Sequence, residues 1–151
     1  MQAMLWSMTD APATATLMFI AHRAAETRVH ESLRRNGFAD LTAAQVRIAQ
    51  RLSQHGIRVT ELAEQARVTK QTAAALVDEL QSNGYVTREP DPTDARARLV
   101  VLSAKGRKLC AAAAREIAAV EAEWRQKLGA KTYAGMRDAL MTLRELTDPY
   151  Q

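Results

Sequence analysis

Between Val59 and Leu102 the apolar residues first repeat with helical spacing, twice and briefly, and then alternate in an extended run. Few folds accommodate that switch in so short a stretch. Leu62, Ala63 and Ala66 share one face of a first short helix, for which Thr60 is a candidate N-cap. Arg67-Val68 leads straight into Thr69, a second candidate cap, and Ala73, Leu76, Val77 and Leu80 form the inner face of the helix it opens. Asn83-Gly84 closes that helix, with glycine supplying a left-handed C-terminal conformation. Tyr85 to Arg88 and Leu99 to Leu102 are extended in character, and the intervening EPDPTDARAR contains two prolines that prevent helix and favour a turn. The reading is a helix-turn-helix followed by a hairpin wing whose tip holds Asp94, Arg96 and Arg98.

That geometry implies a chemistry. A helix of this kind presents its N-terminal turn to a major groove while a hairpin tip reaches the neighbouring minor groove. Lys70, Gln71 and Thr72 are then the donors and acceptors for bases: glutamine can bond adenine bidentately, and lysine can reach guanine or a phosphate. Arg96 suits the negative potential of a narrow minor groove, with Asp94 placed to orient its guanidinium. Thr60 and Thr69, at helix starts, suit phosphates. Arg88 and Arg98 are further cations expected near DNA.

The stretch from Val68 to Leu109, VTKQTAAALVDELQSNGYVTREPDPTDARARLVVLSAKGRKL, resembles the multiple-antibiotic-resistance regulator (MarR) family of bacterial transcription factors. The carrying residues are Asp94-Ala95-Arg96 after a proline-containing turn, the strand Leu99 to Leu102, the cap Ser103 and the early Gly106. The middle position of Asp-x-Arg is often basic in that family and is Ala95 here, which removes one phosphate contact but leaves the wing arginine. The resemblance implies a winged-helix regulator that binds a small effector, commonly an aromatic or phenolic acid, between its dimer helices and winged domain. Trp6, Phe19 and Trp124 are the residues suited to line such a pocket. Peroxide-responsive relatives place a cysteine in the N-terminal helix, and none stands there in this chain.

The flanks read as helices. Residues 13–36 form one, with Leu17, Ile20, Ala24 and Leu33 among its apolar positions and Asn36-Gly37 at its end. Thr42-Ala43-Ala44-Gln45 has the form of a capping box, opening a helix that points Val46, Ala49 and Leu52 inward and stops at Gly56. Ile57-Arg58-Val59 is short and apolar enough to add a third strand to the wing. Ser103 caps a long helix to Leu128, with Leu109, Ala113, Ile117, Val120, Trp124 and Leu128 along one side; a last helix carries Tyr133, Met136, Leu140 and Leu143. These terminal stripes exceed what the chain's own core can cover, and a second copy is the expected cover. The expected architecture is a mainly α single domain over 1–151. A winged helix-turn-helix occupies 41–102, and dimerisation helices occupy 13–36 and 103–147. Two recognition helices would read half-sites one DNA turn apart on a pseudo-palindrome.

Composition narrows the function classes. The formal net charge of +4 favours a polyanionic partner. Residues 58–108 hold nine Lys/Arg and seven Asp/Glu, so placement rather than bulk charge must carry DNA binding. No long apolar run points to a membrane span, and Met1 to Asp10 lacks the features of a signal peptide. The lone Cys110 fits a reducing cytoplasm and, among alanines, reads as a buried inert thiol. His22 and His30 lie two turns apart, too far to chelate one ion, and read as exposed or dimer-face residues; His55 reads as closing a helix. No cofactor, metal cluster or nucleophile with a positioned base is evident, so an enzyme is not expected. The leading expectation is a homodimeric, sequence-specific regulator, a repressor released by an effector. The alternatives are a sequence-tolerant architectural DNA-binding protein and a protein-partner adaptor.

Overall fold

The computed structural model describes residues 11–53 and 55–150. Six helices and one hairpin run in the order α1 (Thr14–Arg35), α2 (Ala43–Ala49), α3 (Val59–Ala66), α4 (Lys70–Ser82), β1 (Val86–Asp91), β2 (Asp94–Leu102), α5 (Ala104–Leu128) and α6 (Ala130–Thr147). This is a mainly helical winged helix-turn-helix with long terminal helices. Helices α3 and α4 pack on each other, α2 lies against α4, and α1 packs along α5. The core draws Val29 and Leu33 from α1, Leu62 from α3, Val77 and Leu80 from α4, Val100 from β2 and Leu109 from α5. Each fully buried leucine contributes about 1.5–3 kcal/mol relative to an exposed one. Small residues keep the helix-turn-helix tight: Ala63 and Ala73 are buried where α3 and α4 meet.

Local chemistry explains most helix ends. The Thr42 side chain accepts from the Gln45 amide while Gln45 Oε1 accepts from the Thr42 amide, completing the capping box. Thr69 accepts from the Thr72 amide, and Ser103 from the Gly106 amide. Three expectations are corrected. Thr60 is not the cap of α3; the helix starts two residues earlier, with Arg58 as N-cap and Glu61 accepting from the Arg58 amide. Helix α2 ends at Ala49 rather than Gly56, because the next amides bond three residues back (Arg51 to Ile48, Leu52 to Ala49) and the chain tightens out of the α-helix. His55 therefore closes no helix and lies exposed in the following turn. Of the proposed third strand only Ile57 pairs, bridging Val100.

The hairpin is longer than its apolar pattern suggests. Pro90 lies within β1 and only Pro92-Thr93 form the turn. Pairing runs in register from Val86 opposite Leu102 to Pro90 opposite Arg98, then jumps to Asp91 opposite Asp94. Ala95, Arg96 and Ala97 are thereby left without cross-strand partners, a bulge centred on Arg96. The tip is pinned by Asp91, a buried carboxylate that the sequence reading did not single out. It accepts from the Thr93 amide (2.8 Å) and hydroxyl (2.7 Å), and from Arg58 (2.7 and 2.6 Å) across from α3. The Thr93 bonds above all, then Arg58, hold its pKa down at about 2.

The start of α5 is welded to the end of α4. The Ser103 amide donates to the Tyr85 carbonyl (3.0 Å), and the Ser103 hydroxyl donates to the Gly84 carbonyl (2.6 Å). A Cβ on Gly106 would sit 2.1 Å from the Tyr85 carbonyl oxygen and 2.9 Å from Leu102, so no larger residue fits without moving backbone. Gly106→Ala should lower unfolding stability toward the upper end of the about 1–3 kcal/mol typical of overpacking, measured by urea denaturation; an unchanged midpoint would contradict this packing. Asp91 makes a second prediction. Its depressed pKa stabilises the tip above the unfolded value of about 3.9, and that contribution is lost as pH falls through about 2. Amide exchange at Thr93 should rise over that acid window, and Asp91→Asn should flatten the response.

Candidate nucleic-acid interface

The N-terminal turn of α4 is built for display. Thr69 uses its hydroxyl internally: its oxygen accepts from the Thr72 amide (3.0 Å) and its proton goes to the Thr72 hydroxyl (2.9 Å). Lys70, Gln71 and Thr72 follow, all exposed, while Ala73 and Val77 are buried beneath them. The apolar stripe anchors the helix and leaves the polar turn outward, so Lys70, Gln71 and Thr72 share one exposed end as the spacing requires. Thr60 is also exposed, inside the first turn of α3.

The orientation of α4 is held from below by a side chain that the sequence reading treated only as a cap. Gln45 is 4% exposed. Its oxygen serves the Thr42 amide and its nitrogen donates to Glu79 Oε2 on α4 (2.5 Å), joining the start of α2 to the recognition helix. A buried amide satisfied at both ends fixes a crossing more sharply than apolar contact alone.

The wing cations divide into two groups. Arg88 is held by Asp78 (2.6 Å) and by Gln81, both on α4, so it ties the base of the hairpin to the recognition helix. Arg58 is held by Asp91. Arg96 and Arg98 are exposed and make no side-chain ion pair among the described residues. Asp94 plays a different part from the one expected. Its Oδ1 accepts from the Arg96 backbone amide (3.1 Å) rather than from the guanidinium, and its other oxygen lies 3.7 Å from Arg58. It shapes the bulge and leaves the Arg96 side chain free. Missed by the sequence reading were Arg58, Asp91 and Gln45. Each acts through a partner about thirty residues away, and no local pattern announces such a pair.

Away from this face, α1 and the last two helices enclose an apolar groove of about 710 Å³. Phe19 and Trp124 both line it, with Met18, Val120, Met136 and Leu140. Trp6 lies outside the described residues. A smaller cavity of about 260 Å³ adjoins it between α1 and α2, sharing His22, Ala25 and Ile117. Its wall is more polar: Glu26, which pairs with Arg47 (2.9 Å), then Arg51 and His30. His30 is half-buried, and its Nδ1 finds no hydrogen-bond partner among the described residues. Cys110 is half-buried, its thiol directed at the Ala49 carbonyl (3.7 Å), and burial pushes its pKa up, away from the reactive thiolate. Among the described residues no cluster of His, Cys, Asp or Glu could hold a metal ion, and no helix is long and apolar enough to cross a membrane.

These features match known proteins. A MarR-family model matches residues 39–97, covering the helix-turn-helix and the hairpin tip. The transcriptional regulator HosA of Escherichia coli O111:H- is 40% identical over 75 residues, 49% of this chain and 56% of the relative, so the chain spans about half the length of the curated relatives it matches. Reduced MarR from E. coli superposes with a TM-score of 0.74 over 89% of this chain and 98% of that one, at 23% identity, a likeness of fold. A MarR-family protein of Mycobacterium tuberculosis, crystallised with salicylic acid, gives 0.66 at 26% identity over 89% and 98% of the two chains. HosA is by name a transcriptional regulator. With the recognition helix, the bulged wing and the long helical frame all present, residues 39–97 match the MarR family and the chain as a whole has the fold of the MarR winged helix-turn-helix structures.

Proposed function

We propose that this chain is a homodimeric, sequence-specific DNA-binding transcriptional regulator, a repressor released by a small aromatic acid. The observation that carries the reading is the pairing of an exposed Lys70-Gln71-Thr72 turn with a wing whose Arg96 stands free in a bulge. Two neighbouring cations, Arg58 and Arg88, are neutralised inside the fold, which leaves the positive charge where a groove would meet it. In this reading residues 41–102 are the DNA-binding region. Lys70, Gln71 and Thr72 read base edges, Arg96 enters the minor groove, and Arg98, Thr69 and Thr60 face backbone. Arg88 contributes by bracing the wing against α4.

Dimerisation through 13–36 and 103–147 is supported by the apolar surface those helices expose. Leu17, Phe19 and Ile20 on α1 are more than half exposed, and Met136, Leu140, Met141, Leu143 and Leu146 on α6 are all open to solvent. No residue of α6 is buried, so the helix has little reason to hold its place without a second copy. A two-fold pair would set two recognition helices about one DNA turn apart.

The effector reading rests on the paired cavities. Phe19 and Trp124 offer a ring-binding wall, and Arg51 and His30 next to it suit a carboxylate. The mycobacterial relative crystallised with salicylic acid supports an aromatic acid as the ligand. A ligand there releases DNA only if it binds the free dimer more tightly than the DNA-bound one. A protein of this kind works in the cytoplasm, where its DNA is.

The test is selection from fragmented genomic DNA at near-physiological salt. A few enriched fragments sharing an inverted repeat with half-sites about 10 base pairs apart are expected. Uniform recovery would favour the architectural reading, against which the modest charge of residues 58–108 speaks, and no recovery would favour a protein partner. Salicylate added to the complexes should release the fragments; retention at millimolar salicylate would remove the aromatic-acid reading. Arg96→Ala should weaken operator binding and reduce the salt slope by about one, read by anisotropy; an unaltered slope would remove the wing role.

A further inference from the structure

Six lysines and arginines lie between Arg58 and Leu102. Arg58 and Arg88 are committed to Asp91 and Asp78. Arg67, Lys70, Arg96 and Arg98 make no side-chain hydrogen bond or ion pair among the described residues. Three of these four already belong to the proposed interface. The fourth, Arg67, occupies the turn between α3 and α4 and has an unusual backbone.

Arg67 has φ 53° and ψ 43°, the left-handed conformation, and no other described non-glycine residue has positive φ. It ends α3 in a Schellman arrangement: the Val68 amide reaches back to the Ala63 carbonyl (3.1 Å) and the Arg67 amide to the Glu64 carbonyl (3.1 Å). Glycine or asparagine takes this place with less strain, since an L side chain there crowds the following carbonyl. Here a long cation holds it, exposed, and its side chain makes no hydrogen bond or ion pair among the described residues to offset the strain. The turn itself closes α3, but an exposed cation kept where glycine would be less strained points to a use of that side chain outside the chain. The turn stands three residues before Lys70, at the end of α4 that would enter the major groove. A residue preceding that entry point meets the groove's wall, which is phosphate.

We propose that Arg67 is a DNA-backbone contact, a phosphate-binding cation that seats the recognition helix and carries no base preference. The proposal rests on the DNA-binding reading above and adds a residue to its interface.

The experiment compares wild type, Arg67→Gly and Arg67→Lys on a mixed-sequence duplex of about 30 base pairs, by anisotropy between about 50 and 200 mM salt, with thermal unfolding of each protein alone. Arg67→Gly should have an equal or higher Tm, because the left-handed turn suits glycine. Its affinity should fall roughly eightfold at 0.1 M salt and its salt slope by about 0.9, the counterion-release share of one contact. Arg67→Lys should keep most of the slope. Stability and affinity moving in opposite directions is a signature that a purely structural residue does not give. Equal slopes for wild type and Arg67→Gly would overturn the proposal, as would a Tm loss in Arg67→Gly that accompanies the weaker binding. A wild type that binds no duplex even at the lowest salt would overturn the DNA-binding reading itself, and this proposal with it.

Discussion

The junction around Tyr85 holds the rest of the molecule in place. The ring is fully buried between the end of the recognition helix and the start of the long α5. Its hydroxyl donates to Asp40 (2.7 Å), before α2, while the Lys105 ammonium lies 4.2 Å over its face and also 3.8 Å from Asp40. Burial first, and then Asp40, push the phenol's pKa up, so it remains a donor at any ordinary pH. The Tyr85 carbonyl meanwhile receives the Ser103 amide and rests against the bare Cα of Gly106. One residue thus joins recognition helix, wing and frame, and a shift of α5 cannot leave α4 where it was.

A second constraint is how the charges are shared out. Cations that lie close together in sequence have different fates, because their partners come from elsewhere in the fold. Asp91 takes Arg58 and Asp78 takes Arg88, whereas the bulge carries Arg96 away from any carboxylate side-chain partner. Pairing the first two stiffens the wing; leaving the others unpaired keeps their charge available to a polyanion. The net charge of the segment is small, and the free charge is concentrated on the surface that carries the Lys70 turn and the hairpin.

Much of this was legible beforehand wherever the signal was local. Thr69, Ser103 and the Thr42–Gln45 box cap the helices expected of them, Asn83-Gly84 ends α4, and Phe19 and Trp124 meet in one groove. Where the signal was read too literally, tertiary bonds intervened. Thr60 gave way to Arg58 as cap because the glutamate three residues on returns a bond to the Arg58 amide. Helix α2 stopped early as the chain tightened toward the Ile57–Val100 bridge. The strands outran their apolar core because Asp91 and Thr93 close the tip with side-chain bonds that no alternation pattern records.

The sequence by itself determined the order of helices and strands, the caps of α2, α4 and α5 and the buried faces, since each depends on residues within a turn or two of one another. Tertiary structure alone decided which cations are spent inside the fold, that Asp94 holds a backbone amide rather than a guanidinium, and that Gln45 reaches the recognition helix. It also decided that Arg67 takes the left-handed conformation that ends α3. The physical reason is range. Periodicity and capping are encoded over a few residues, while ion pairing and buried hydrogen bonding depend on distances that exist only once the helices have packed.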